Sequence, residues 1–317
     1  MADLFINLFK ALFNPSIFTN IRFYVLIFSA LLATAIYFYI KTTVPSFGLQ
    51  TIRLTQIYAL LSVAFLYFTL LAGPLTYTFK FLPFRGKYLK ARRALGVSAF
   101  LFALMHVRLA FFEQLGGFAG LFFLPSNYLI AITLSFTALV IVSAMAVTSF
   151  DYIIDKLTFP RWKLIHRFVY LAAIFILIHA LMLGSDFQDL SGIIPQIFYV
   201  AISFLLLLEA NRADAFLRRK FLNYPKRGLV LLLMVILISF GFVYFLLPHN
   251  TLVSLGLHEK HTHWFGKVDQ GEDVGSGWFS KHLVHLIGGI LLLGFFIYAL
   301  IVQEKRKINE NQRSNIP

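Results

Sequence analysis

The stretch WKLIHRFVYLAAIFILIHALM, Trp162–Met182, decides the fold. It is apolar along nearly its whole length and long enough to cross a hydrocarbon core of about 30 Å as a helix. Yet it carries two histidines, His166 and His179. Imidazole is costly to place in lipid, so an ionisable group inside a span points to function by default. The two rings are separated by about 20 Å along a helix axis and by roughly 140° around it. One straight helix cannot turn both toward the same neighbour. Either the helix is locally irregular, or each histidine meets a different partner.

Working outward, similar apolar stretches recur, and eight spans are expected near residues 22–40, 54–79, 94–114, 127–149, 162–184, 192–210, 228–247 and 282–302. Hydrophobic residues make up 59% of the 317 and charged residues 13%, about half the charged fraction of an ordinary soluble domain. Each span must satisfy its own backbone, so the expected fold is all-α, a polytopic membrane helix bundle. The basic residues alternate between faces. One set of loops holds Lys80, Arg85, Lys87, Lys90, Arg92, Arg93, Lys156, Arg161, Arg212, Arg218, Arg219, Lys220, Lys226 and Arg227, with Lys10 and the tail on the same side. The opposite loops hold Lys41, Arg53, Lys260, Lys267 and Lys281. This asymmetry predicts that both termini are cytoplasmic. It also accounts for the net charge of +14 as topology signal and lipid contact, without nucleic acid.

Several chemistries are excluded at once. The chain has no cysteine, so disulfides, thiolate-held iron–sulfur or zinc sites and covalent haem attachment are absent. It has no dinucleotide-binding fingerprint or phosphate-binding loop. The start, MADLFINLFKALFNPSIF, lacks a small-residue cleavage site and does not read as a removable signal peptide. Residues 4–13 have the pattern of an interfacial helix with Lys10 on its wet side.

Three of the nine histidines lie within spans: His106, His166 and His179. If spans three and five rise from the cytoplasmic face, His106 stands about 20 Å above Arg93, and His179 about 27 Å above Arg161. Both then fall in the outer half, where they can hold one haem iron from opposite sides. His166 stands about 8 Å above Arg161, in the inner half, at the level of a second haem. Two stacked haems would form an electron path across the bilayer. The alternative is that each histidine only hydrogen-bonds to a neighbouring helix.

The segments RRALGVSAFLFALMH (Arg92–His106) and WKLIHRFVYLAAIFILIH (Trp162–His179), with TLLAGPLTY (Thr69–Tyr77) and AVTSF (Ala146–Phe150), resemble the ferric reductase-like transmembrane family. The likeness is strongest to its MsrQ/YedZ branch, the haem-binding membrane subunit that feeds electrons to a periplasmic methionine sulfoxide reductase. It runs from about Ile57 to Arg212. The resemblance implies that His106 and His179 hold an outer haem b and that His166 is a ligand of an inner one. In the related NADPH oxidases a second histidine stands fourteen positions before the outer ligand, a place held here by Arg92. The inner haem is then bound by His166 alone, by His166 with Arg92, or not at all. Arg108, near the outer end of its helix, is placed either to pair with a haem propionate or simply to snorkel.

Three regions follow: residues 1–53, an N-terminal segment with an extra span; 54–212, the haem-binding core; and 228–317, two further spans joined by a long outer loop at 248–281. That loop and the start of the last span carry His249, His258, His261, His263, His282 and His285. These are candidate ligands for an outer-side metal ion or a further haem, or merely polar loop residues.

The expected function is a multi-pass protein of the inner (cytoplasmic) membrane that carries electrons through one or two haems b. The donor would be a quinol or a flavoprotein, bringing quinone or FMN chemistry, and the acceptor a partner reductase outside. It would be a haem-dependent oxidoreductase subunit in contact with membrane lipid. The competing expectations are a terminal ferric or cupric reductase using the outer histidines, and a haem-free metal-binding transport module.

Overall fold

The computed structural model describes residues 20–187, 193–220 and 229–246. Among these the ordered elements are helical, and the protein is a polytopic membrane helix bundle. The elements are α1 (Ile21–Thr43), α2 (Phe47–Thr78), α3 (Arg85–Arg108), a π-turn (Leu109–Gln114), α4 (Phe118–Leu121), α5 (Ser126–Val147), α6 (Asp151–Lys156), α7 (Phe159–Arg167), α8 (Val169–Leu183), a 3₁₀ turn (Ser185–Phe187), α9 (Ile193–Lys220) and α10 (Leu229–Leu246). Six stretches are long and apolar enough to cross a membrane: Ile21–Thr43, Phe47–Thr78, Arg85–Gln114, Ser126–Val147, Phe159–Leu183 and Ile193–Arg219. They follow the first six expected spans in order. α10 covers the seventh expected span, whereas the eighth, the segment at residues 4–13 and the loop at 248–281 lie outside the described residues.

Several helices outrun their apolar spans. α3 begins at Arg85, so Lys87, Lys90, Arg92 and Arg93 are helical too. Hydropathy marks the lipid-crossing part of a helix, but the backbone hydrogen-bond ladder carries on into the headgroup region. Large apolar side chains on these helices are exposed, among them Leu31, Phe38, Phe136 and Ile174. A helix apolar all round its circumference belongs in lipid.

The chain forms two compact units, divided after Gly184. In the first, α1 and α2 form a hairpin. Val44 precedes Pro45, which disfavours helical geometry there, and Val44 is extended. Gln50 closes the turn by donating to the Val44 carbonyl at 2.6 Å and accepting from Lys41 Nζ at 2.8 Å. α3 packs against both helices through small residues. Ser98 is fully buried and its Oγ lies 2.8 Å from Ser29 Oγ on α1, which also donates to the Val25 carbonyl. Ser62 on α2 donates to the Ala99 carbonyl at 2.9 Å. Phe102, 2% exposed, fills the seam between Tyr58 and Phe65. Small side chains and interhelical hydroxyl bonds are how helices associate where lipid removes the hydrophobic drive.

α5 and α8 meet through alanines in the same way. Ala131, Ala138 and Ala172 are essentially inaccessible, and Phe100, Ile141, Phe175 and Ile176 surround the last two. The span quoted at the outset is broken into α7 and α8 at Phe168, whose N–H bonds three residues back to Ile165. The break is a local irregularity between His166 and His179.

In the second unit, α9 packs on α10 around Leu207, Ala210 and Ile238, and the Tyr199 hydroxyl donates to the Ile238 carbonyl. Along α9, Arg212 pairs with Glu209 at 2.8 Å and Arg218 with Asp214 at 3.1 Å.

Candidate functional site

α2 and α3 run antiparallel, as do α5 and α8, so the start of α2, the end of α3, the start of α5 and the end of α8 share one end of the first unit. The basic segments, with Lys80 to Arg93, Lys156 and Arg161, lie at the other. His106, two residues from the end of α3, and His179, near the end of α8, meet at the less basic end. Their ring centroids are 6.4 Å apart and their planes are 76° from parallel. Both rings are half-buried.

Each imidazole is fixed by a backbone carbonyl. His106 Nδ1–H donates to the Thr55 carbonyl of α2 at 3.0 Å. His179 Nδ1–H donates to the Ala131 carbonyl of α5 at 3.2 Å. A carbonyl only accepts, so both Nδ1 atoms carry the proton, and each Nε2 keeps its lone pair. This is the arrangement that orients metal-binding histidines, in which the second ring nitrogen is bonded to a carbonyl and the first is left to coordinate. Ala131 has no side chain beyond Cβ to hold His179 away from the carbonyl. Histidines on facing helices of a bundle are a common way to build a cofactor site.

The separation fits a shared metal. Two imidazoles on opposite sides of one first-row metal, each at a bond length of about 2 Å, put their ring centres roughly 6 Å apart. Two ligands alone leave a transition metal far short of its usual coordination number. Among the described residues no three His, Asp or Glu side chains cluster to complete a metal site. A porphyrin supplies the missing equatorial nitrogens itself, so the donor set suits a haem iron better than a bare ion.

His166 stands apart from this pair. Its Nδ1–H donates to the Trp162 carbonyl of its own helix at 3.0 Å, and its Nε2 lies 3.5 Å from Ser149 Oγ. The Ser149 hydroxyl donates to the Met145 carbonyl at 2.7 Å. The imidazole lies against the Trp162 indole, and Trp162 Nε1–H donates to the Thr148 carbonyl at 3.1 Å. The Arg93 guanidinium sits over the Trp162 ring at 5.8 Å, and the charges of Arg92 and Arg93 reach His166. His166 thus occupies the basic end, at a different level from the pair, and Arg92 is its neighbour.

Arg108 ends α3 exposed to the surroundings and has no ion pair among the described residues. His249, His258, His261, His263, His282 and His285 lie outside the described residues. The carbonyls of Thr55 and Ala131 were not foreseen, since any residue provides a carbonyl. Gln114, whose Nε2 donates to Thr55 Oγ1 at 2.8 Å, was also missed. It reaches Thr55 only from the π-turn, which the sequence pattern does not announce.

Residues 55–178 match the family described as ferric reductase like transmembrane component. The matched stretch begins at Thr55, which holds His106, and ends one residue before His179. It includes His106, His166, Arg92 and Arg108. No curated protein and no solved structure matches the chain.

Proposed function

We propose that this protein is a transmembrane haem b subunit that moves electrons through the membrane. They would pass from a quinol or flavoprotein at the basic, cytoplasmic end to an acceptor on the outer side. The family match supports a transmembrane oxidoreductase component. The observation that carries the haem reading is the His106–His179 pair, with both Nδ1–H groups bonded to carbonyls and both Nε2 atoms available. Delivery to a methionine sulfoxide reductase across the bacterial inner membrane is the narrower form of this reading and rests on the sequence resemblance.

His106 and His179 would hold the haem, which when bound supplies one-electron chemistry at iron. The chain contributes ligation, orientation and a dry surround. The carbonyls of Thr55 and Ala131 hold the two imidazoles in one orientation and one tautomer. The apolar helices keep bulk water from the rings, and holding both ligands in place limits rearrangement when charge changes. A second haem at His166 would have to displace the Ser149 contact and find another ligand, for which Arg92 is the candidate.

The test is the visible spectrum of the purified protein, oxidised and dithionite-reduced, with haem quantified per chain. A Soret band and sharp reduced bands of a six-coordinate haem b are expected. His106→Ala and His179→Ala should each abolish them. A colourless, folded protein from a haem-replete host refutes the proposal.

A further inference from the structure

Gln114 stands eight residues after His106. In a continued α-helix, eight steps of about 100° would leave the two side chains roughly 80° apart. Instead the chain widens into the π-turn, with the Leu115 N–H bonded to the Ala110 carbonyl at 3.0 Å. A wider turn advances only about 80° per residue, which returns Gln114 to within roughly 30° of the His106 direction. π-turns inside helices are frequent at functional sites, and here the turn has an identifiable result. The Gln114 amide reaches α2 at the residue whose carbonyl holds His106.

Thr55 is engaged at three points. Its hydroxyl donates to the Thr51 carbonyl at 2.8 Å, the same oxygen accepts from Gln114 Nε2 at 2.8 Å, and its carbonyl accepts from His106 Nδ1 at 3.0 Å. Thr55 is 6% exposed, whereas Gln114 lies at the surface. We infer that Thr55 and Gln114 are a positioning pair that fixes the π-turn against α2 and so sets how firmly His106 is held as an iron ligand. The inference rests on the haem reading above and extends it to residues that never touch the iron. A firm Nδ1–H···O=C bond leaves more electron density on Nε2, and a more basic ligand favours oxidised iron.

The experiment uses the full-length, haem-loaded protein, with redox titration followed in the visible bands and low-spin resonance recorded for the oxidised form. Thr55→Val removes the hydroxyl while preserving shape and carbonyl, and Gln114→Leu removes the amide. Each is expected to raise the midpoint potential and displace the largest g value at unchanged haem content. Thr55→Ser, which restores the hydroxyl, is expected to match the wild type. Gln114→Leu alters an exposed side chain, so it provides the reading even where Thr55→Val fails to accumulate. If both substitutions leave potential and resonance at wild-type values, the pair merely packs helices and the inference fails. If the wild type holds no haem, the proposed function fails and this inference with it.

Discussion

The Trp162 indole lies against the His166 imidazole, with 4.1 Å between ring centroids and 30° between planes. Phe159 stacks beyond the indole at 5.9 Å. The indole is anchored separately, by its N–H on the Thr148 carbonyl. His166 is therefore held by its own helix and by the end of α5, with no contribution from His106 or His179. Its replacement should not disturb the other pair. His166→Ala is expected to keep the haem held by His106 and His179, and any loss should be confined to a second haem. Haem per chain, extracted and quantified, checks this. Complete loss would mean that His166 belongs to the principal site.

Ala138 and Ala172 are 1% and 0% exposed at the α5–α8 contact. Adding bulk there forces the helices apart and costs about 1–3 kcal/mol. Ala172→Leu is expected to lower the melting temperature. It should also reduce haem content, because moving α8 withdraws His179 from the Ala131 carbonyl. An exposed substitution on the same helix, Ile174→Leu, should do neither. Thermal melts in detergent, followed beside the Soret band, test both halves.

Under the proposed function, withholding haem should cost stability in a way that depends on its ligands. A group that binds only the folded chain stabilises it by about 2.7 kcal/mol at a hundredfold excess over its dissociation constant. Protein from a haem-depleted host should therefore melt lower than protein from a replete one. His106→Ala should melt at the same temperature from either host. A persistent difference in that variant would place the stabilising haem elsewhere.

The Arg218–Asp214 and Arg212–Glu209 ion pairs of α9 should differ in weight. Asp214 is 3% exposed at its side chain, against 21% for Glu209. A buried pair is costlier to break than an exposed one, which contributes about 0–1 kcal/mol. Arg218→Met is expected to destabilise clearly more than Arg212→Met, as read by denaturant unfolding of the purified protein.

The membrane spans were legible because hydropathy and length follow directly from the energetics of lipid. That His106 and His179 stand at one level was legible from depth along two helices. The histidines' backbone anchors were not. A carbonyl carries no residue identity, and Thr55 was visible only as a polar residue at the start of a span. Gln114 was hidden by the assumption of regular helical phase, which the π-turn violates. The break at Phe168 also has no proline to announce it, and the angular mismatch of His166 and His179 gave the only hint.

The break at Phe168 has a consequence for how this span can change over time. A continuous helix ties the azimuth of every residue to every other, so a twist at one end propagates to the far end. The narrowed step at Phe168 relaxes that tie and makes the polypeptide a jointed rod. Substitutions that re-aim the Trp162–His166 segment can then accumulate while His179 keeps its bearing. The two ends of the span are free to diverge separately.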